Sequence, residues 1–422
     1  MEILTIKIND KIPFDSLEYK SLRDENKHGI LHAAYYGANT TNEDRSQELQ
    51  ILENEIKDKK ARIFHIPIPR YTICHDESAT INYIGFVYKD NGLPCEASLP
   101  CVTQADKENA LRWFDEVENI SFWRMRSKKQ VKEFLKFMYF KYFSKKAKYN
   151  AKILQDPTKI KYLLPHPYFS NMCHFTTEDY AGLLIWIDYA KAHNLDYYII
   201  TPPQYRGYQK YYDWYIQEIL DIESIPKDRI ITLNHQNHKV KNLYHTSSIR
   251  FSTYQYQAIR KLQHTLYDPN FKSLGDRIYI SRKKSYRRFL INDDEIAEIL
   301  ECEYGFRRIY MEDYDLKTKI NIMLRTKVLM SVEGTSFMNG LFTEPINALG
   351  GGQAKLIGIR SHEMTNDTLA YLGILKNVEY LPIICDIKEQ IGEGKSVWAC
   401  SNLYLNPDYL RQKLSLYEIQ KI

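Results

Sequence analysis

Val328-Leu329-Met330-Ser331-Val332-Glu333-Gly334-Thr335-Ser336 reads as an apolar strand that runs into a turn of small residues. Upstream, Arg277-Ile278-Tyr279-Ile280 is a second strand, and residues 293–302 form a helix with Asn292 as its N-cap. Phe306-Arg307-Arg308-Ile309-Tyr310 is a strand and residues 316–325 a helix. Downstream, a helix is expected from Ser336, followed by strands at 356–359 and 379–383. Strand and helix in alternation predict a parallel sheet with helices on its faces.

The same grammar precedes this stretch. Residues 178–193 form a helix with Leu183, Leu184, Ile187 and Ala190 on one side. Residues 196–201 are a strand ended by Pro202-Pro203, residues 209–220 have helical spacing, and residues 229–233 are the next strand. The fold class is therefore α/β, with two Rossmann-like halves meeting near residues 245–275. Ligands of open α/β sheets bind beyond the carboxyl ends of the strands, so a cleft between two lobes is the expected site.

The region before residue 165 is built differently. Residues 61–96 read as short strands, chiefly 61–66 and 83–88, with Lys89-Asp90-Asn91-Gly92 as a turn, and residues 43–60 as a charged helix. Between residues 127 and 148, Val131, Phe134, Leu135, Met138, Tyr139, Tyr142 and Phe143 recur at helical spacing. The opposite face carries Lys128, Lys129, Lys132, Lys136, Lys141, Lys145 and Lys146. Two readings follow: a core-packed helix with a solvated basic face, or an interfacial helix drawn to anionic lipid head groups.

Composition narrows the class. A chain of 422 residues exceeds one ordinary core. No apolar run approaches the roughly 20 residues that span a bilayer. Met1-Glu2-Ile3-Leu4-Thr5-Ile6-Lys7-Ile8 reads as a strand without the basic and cleavage regions of a signal peptide, so a cytoplasmic location is expected. The seven cysteines form no CxxC pair and are odd in number, which disfavours a disulfide framework or a structural zinc site. A formal charge of +5 is too mild for this length to indicate nucleic-acid binding.

Three constellations can carry chemistry. Ser281-Arg282-Lys283-Lys284-Ser285-Tyr286-Arg287-Arg288 follows the strand at 277–280. Basic groups there suit a diphosphate, since Arg supplies forked hydrogen bonds and Lys a compact charge. The alternative is a solvated basic loop. Glu333-Gly334-Thr335-Ser336 follows the strand at 328–332, where small residues let backbone N–H groups approach phosphate oxygens. Glu333 is placed to accept ribose hydroxyls; alternatively, it pairs with a basic neighbour within a tight turn. In the first half, His174 and Glu178 are four residues apart beside a helix start, and either suits a general base for a hydroxyl or an orienting or capping role. There is no GxGxxG, no GxxxxGK[ST] and no strand-end Asp-x-Asp, and the histidines make no metal-spaced set, so no metal or cofactor is expected.

Asn171-x-x-His174-Phe175-x-x-Glu178, Ile278-Tyr279-Ile280-Ser281-Arg282, Arg287-Arg288-x-x-x-Asn292-Asp293-x-Glu295 and Val332-Glu333-Gly334-Thr335-Ser336-Phe337-x-Asn339-Gly340-Leu341-Phe342 together resemble glycosyltransferase family 61, its bacterial capsular-polysaccharide type in particular. The tail at 402–410 resembles the family's closing strand and helix. The resemblance implies a two-lobed GT-B fold and an inverting, metal-independent transfer. It implies an acceptor-side lobe at 1–250, including strand-rich 61–100 and a basic helical insertion at 121–148. A nucleotide-sugar lobe would occupy 251–395, with 396–422 packing back across the lobes. Arg282, Arg287, Arg288, Asn292, Glu333, Gly334, Thr335 and Ser336 would hold the nucleotide-sugar, and Glu178 or His174 would act as base on a glycan or lipid-linked glycan acceptor. Residues 121–148 would give peripheral contact with an anionic membrane at the inner face of the plasma membrane. The chain departs from the pattern at Glu333-Gly334-Thr335-Ser336, where many members have His-Gly-Ala-Gly, and at Asp293, where Glu is common. Two alternatives are a non-catalytic assembly protein binding glycan or nucleotide on the same fold, and a nucleic-acid-binding protein using the basic stretch.

Overall fold

A computed structural model describes residues 2–4, 31–36, 62–67, 73–81, 87–88, 135, 145–164, 175–201, 205–206, 209–210, 214–233, 238–246, 253–285, 287–343, 354–361, 379–391 and 401–422. The chain divides into two units, Met1–Lys11 with Pro69–Ala258, and Ile12–Ile68 with Ile259–Ile422. The expected helix at 43–60, His174 and most of 127–148 lie outside the described residues. Within 127–148, Leu135 is helical and 60% exposed, although periodicity places it on the apolar face.

In chain order the strands through residue 246 are β1 (Glu2–Leu4), β2 (Leu31–Tyr36), β3 (Arg62–Pro67), β4 (Ile73–Ile81), β5 (Val87–Tyr88), β6 (Ile160–Leu163), β7 (Tyr197–Thr201), β8 (Tyr205–Arg206), β9 (Gln209–Lys210), β10 (Ile230–Thr232) and β11 (His238–Thr246). The helices are α1 (Lys145–Gln155), α2 (Tyr180–Ala192), α3 (Trp214–Ile222) and α4 (Thr253–Leu266). The first unit's sheet has the order β1-β4-β11-β6-β7-β10, with β5 on β4. β11, β6, β7 and β10 are parallel, whereas β4 runs antiparallel to β1, β5 and β11. β2 and β3 pair in parallel as a separate ribbon grouped with the second unit.

One strand of this sheet and one helix differ from the sequence expectation. Residues 73–81, Ile-Cys-His-Asp-Glu-Ser-Ala-Thr-Ile, look polar enough to be a spacer, yet form β4. Its apolar ends, with Ile73, Cys74, Ala79 and Ile81, are buried, and pairing with long β11 overrides the poor strand propensity of the acids. The helical reading of 209–220 also starts too early. Gln209–Lys210 pairs with Tyr205–Arg206, and the helix is Trp214–Ile222. α2 packs on the sheet through Trp186, whose ring stacks on Tyr162 at 5.1 Å and meets Tyr197 edge-on at 5.3 Å.

The second unit contains β12 (Arg277–Ile280), α5 (Asp293–Tyr304), β13 (Arg307–Ile309), α6 (Leu316–Met323), β14 (Val328–Val332), β15 (Lys355–Ser361), β16 (Glu379–Glu389), β17 (Asn402–Tyr404) and α7 (Pro407–Leu416). Its strand order is β13-β12-β14-β15-β16-β17, parallel except for β17. The chain leaves β12 towards β13 on one side and resumes with β14 on the other. The order therefore reverses between β12 and β14, and such a switch point opens a crevice at the carboxyl ends.

Both faces of this sheet are covered. On one, Ile296, Ala297 and Leu300 of α5 join Tyr279, Met330, Ile357 and Ile383 in a core completed by Leu405, Leu410, Leu414, Tyr417 and Ile419. Leu405, Leu410, Leu414, Tyr417 and Ile419 of the tail thus belong to the second unit's core. On the other face, a 3₁₀ helix at Phe337–Phe342 packs so closely that a Cβ on Gly340 would sit 3.1 Å from Leu329 and Leu356 methyls. The helix expected from Ser336 is this six-residue 3₁₀ segment. Among the described residues no helix is long and apolar enough to cross a membrane.

Candidate functional site

The carboxyl ends of β12 and β14 deliver Ser281-Arg282 and Glu333-Gly334 to the two sides of the switch point. Arg282 is 8% exposed, and its guanidinium spans the gap. Nε donates to the Arg288 carbonyl at 2.9 Å, and Nη1 donates to Ser336 Oγ at 3.3 Å. Arg288 adopts a left-handed conformation, φ 54°, which folds the basic loop back on itself.

Gly334 is the centre of this arrangement. Its φ of +147° is open chiefly to glycine, and a Cβ there would lie 3.0 Å from Arg288 Nη2 and 3.1 Å from Arg282 Nη1. Two guanidinium groups therefore converge on the bare backbone of one turn. Forked donors around a turn without side-chain bulk suit an anion with several oxygens, as in a phosphate or diphosphate.

Around this pair the remaining expected residues sort into different roles. Thr335 and Ser336 are half-buried on the turn, and Arg287 is half-buried on the loop. Lys283 pairs with Asp294, and Lys284 with Asp313 at 2.6 Å; these exposed carboxylates raise both ammonium pKa values. The lysines are the solvated part of the run, and the arginines are the built part.

Glu333 and Asn292 are both engaged by other groups of the protein. Glu333 is fully buried, and its Oε1 faces Arg360 Nη1 at 3.5 Å, itself 1% exposed. The basic-neighbour alternative thus describes Oε1 of Glu333 in this structure. Asn292 occupies the N-cap position of α5 but makes no side-chain cap. Its Nδ2 donates to the Leu405 carbonyl at 2.9 Å, and its Oδ1 accepts from Leu405 N at 3.3 Å. It fastens the tail to the start of α5.

Arg360 was not singled out by sequence, and Asp293 and Asn339 entered only as members of the quoted motifs, without a role in the site. Asp293 is 2% exposed and accepts from Tyr279 at 2.5 Å and Ser281 at 2.7 Å, fixing the end of β12. Burial, then the Asp293 carboxylate, pushes the Tyr279 hydroxyl pKa well above its ordinary value. An Arg within the apolar run Leu356-Ile357-Gly358-Ile359-Arg360 was the available signal for a buried ion pair.

In the first unit, Glu178 is the fourth residue of a π-helical turn, Phe175–Asp179, that leads into α2. Such turns recur at functional sites. A second acid–His pair, Asp76 and His245 at 3.2 Å, has side chains only 12% and 3% exposed, which makes it part of the sheet's interior. Among the described residues no cluster of three or more His, Cys, Asp or Glu side chains could hold a metal ion.

A mixed α/β protein with two sheets of parallel strands and an anion-suited turn is consistent with a glycosyltransferase fold. Residues 172–348 match the family described as Glycosyltransferase 61, so over that stretch the chain is similar to this family, as its motifs suggested. The match supports a sugar-transferring protein. Among curated proteins none matches the chain.

Proposed function

We propose that the chain is an inverting, metal-independent glycosyltransferase of GT-B architecture. It would move a sugar from a nucleotide-sugar to a hydroxyl of a capsule- or lipopolysaccharide-type glycan, free or lipid-linked, at the inner face of the plasma membrane. Residues 121–148 would supply peripheral contact with anionic lipid there. The observation that carries the reading is the convergence of Arg282 and Arg288 on Gly334 at the switch point of the second sheet.

In this reading the acceptor oxygen attacks the anomeric carbon as the carbon–oxygen bond to the diphosphate breaks. Arg282 and Arg288 stabilise the charge left on the diphosphate, with Arg287 beside them. Ser336 and Thr335 cradle a phosphate, and Glu333 keeps the turn in place through Arg360. Glu178 or His174 takes the proton from the acceptor hydroxyl.

A thermal-shift screen over nucleoside diphosphates tests the donor half, because a ligand bound only by the folded state raises the melting temperature. One nucleotide should stabilise the protein. Arg282→Ala should lower turnover of the matching nucleotide-sugar about 10²–10³-fold, equivalent to about 2.7–4 kcal/mol. Near-normal turnover by that variant would remove Arg282 from the mechanism, and no response to any nucleotide would overturn the reading.

A further inference from the structure

We infer that Asn339 is a positioning residue for the anion-binding pair, acting through Ser336 on Arg282; this rests on the reading of the Gly334 turn as a phosphate site. Asn339 lies in the 3₁₀ helix and is 2% exposed. Its Nδ2 donates to the Ser336 carbonyl at 2.8 Å and to the Thr335 carbonyl at 3.3 Å. Its backbone N donates to the same Ser336 carbonyl at 3.3 Å. Ser336 is therefore held twice by one residue, and its Oγ is the acceptor for Arg282 Nη1.

Stability alone is an incomplete account of an amide at this position, since its two donated bonds are offset by an unpaired acceptor. Its Oδ1 is buried and finds no hydrogen-bond partner among the described residues. A buried acceptor left unpaired is a cost to folding that an apolar residue of similar size would avoid. What the amide supplies is the pair of donors, and both reach the segment that orients Ser336. Fixing Ser336 fixes the direction from which Arg282 presents its fork. Pre-set donors bind an anion without reorganising as it arrives.

The test is a double-mutant cycle read by pyrophosphate binding in calorimetry, with melting temperature measured alongside. Asn339→Leu should weaken pyrophosphate binding about tenfold, the scale of one misdirected charge-assisted hydrogen bond, while the melting temperature holds or rises. In a Ser336→Ala background the same change should cost less than about twofold, because residues acting as a unit are not additive. A purely structural role would give equal losses in both backgrounds, and that result overturns the inference, as does no loss in either. Asn339→Ala removes the donors without adding a charge beside the arginines, so it serves if the leucine variant does not fold. If neither variant melts cooperatively, Asn339 is needed for the fold itself and the positioning role falls. If the unmodified protein binds no pyrophosphate, the phosphate-site reading fails first and takes the inference with it.

Discussion

At the scale of single residues, Gly334 decides whether the two arginines can meet. Alanine there would strain a φ of +147° and place a methyl about 3 Å from both guanidinium groups. Those neighbours are the ends of flexible side chains, so they would swing aside and lose their shared focus. Gly334→Ala should therefore cost about 1–3 kcal/mol of stability from the backbone alone. Nucleoside diphosphate binding should fall further than that strain accounts for. Urea melts and titration calorimetry on one preparation separate the two effects; unchanged affinity would show that the convergence is incidental. Glu333 teaches the complementary lesson. Its position after a strand suggests a ribose contact or a basic partner, and the partner it has, Arg360, lies 27 residues away in sequence on the neighbouring strand.

At the scale of elements, α5 and α7 are joined by Glu303, which accepts from Arg411 Nη2 at 2.6 Å and Lys421 Nζ at 2.6 Å. Hydrogen bonds from Arg411 and then Lys421 hold its carboxyl pKa down to about 2, from an ordinary 4.5. A depressed acid pKa stabilises the fold wherever the unfolded group would be ionised. The contribution is thus complete above pH 4.5 and disappears as pH falls towards about 2. Glu303→Gln should lower the melting temperature modestly near neutral pH, where the contribution is complete, and flatten the acid part of the curve of melting temperature against pH. An unaltered acid limb would mean that the ion pairs across α5 and α7 contribute nothing. The strands β12, β13 and β14 and the helices between them were legible in sequence, because apolar runs and helical spacing alternate cleanly there. β4 and β11 were not, since Asp76-Glu77-Ser78 and Lys239-Val240-Lys241-Asn242 look polar until each strand supplies the other's hydrogen bonds. In the site, Arg282, Arg288, Gly334 and Ser336 were readable from residue type and strand-end placement. The parts played by Asp293, Arg360 and Asn339 depend on burial and on partners brought near by folding, which spacing does not encode.

At the scale of the molecule, the tail is built into the site. Leu403 N donates to the Phe289 carbonyl at 2.9 Å, and Ile291 N donates to the Leu403 carbonyl at 2.8 Å. With the Asn292–Leu405 pair, these bonds fasten the basic loop to β17 and the residue after it. Removing residues 402–422 would strip Leu403, Leu405, Leu410, Leu414, Tyr417 and Ile419 from the core. At about 1.5–3 kcal/mol per buried apolar side chain, the loss matches a typical total stability of about 5–15 kcal/mol. The truncated chain should show no hydrogen-exchange protection in β12 or β14, and native-like protection there would contradict this account.

The anchoring of the loop by the tail also sets an order of events during synthesis. Asn292 and Leu405 are 113 residues apart, so a growing chain that has already made the loop lacks the groups that hold it. Closing so long a separation is slow and comes late in folding. The nascent protein is thus kept from clamping the basic loop until its second sheet has gained β17, and a ribosome stalled between residues 343 and 401 would carry the loop and the Gly334 turn without that final clamp.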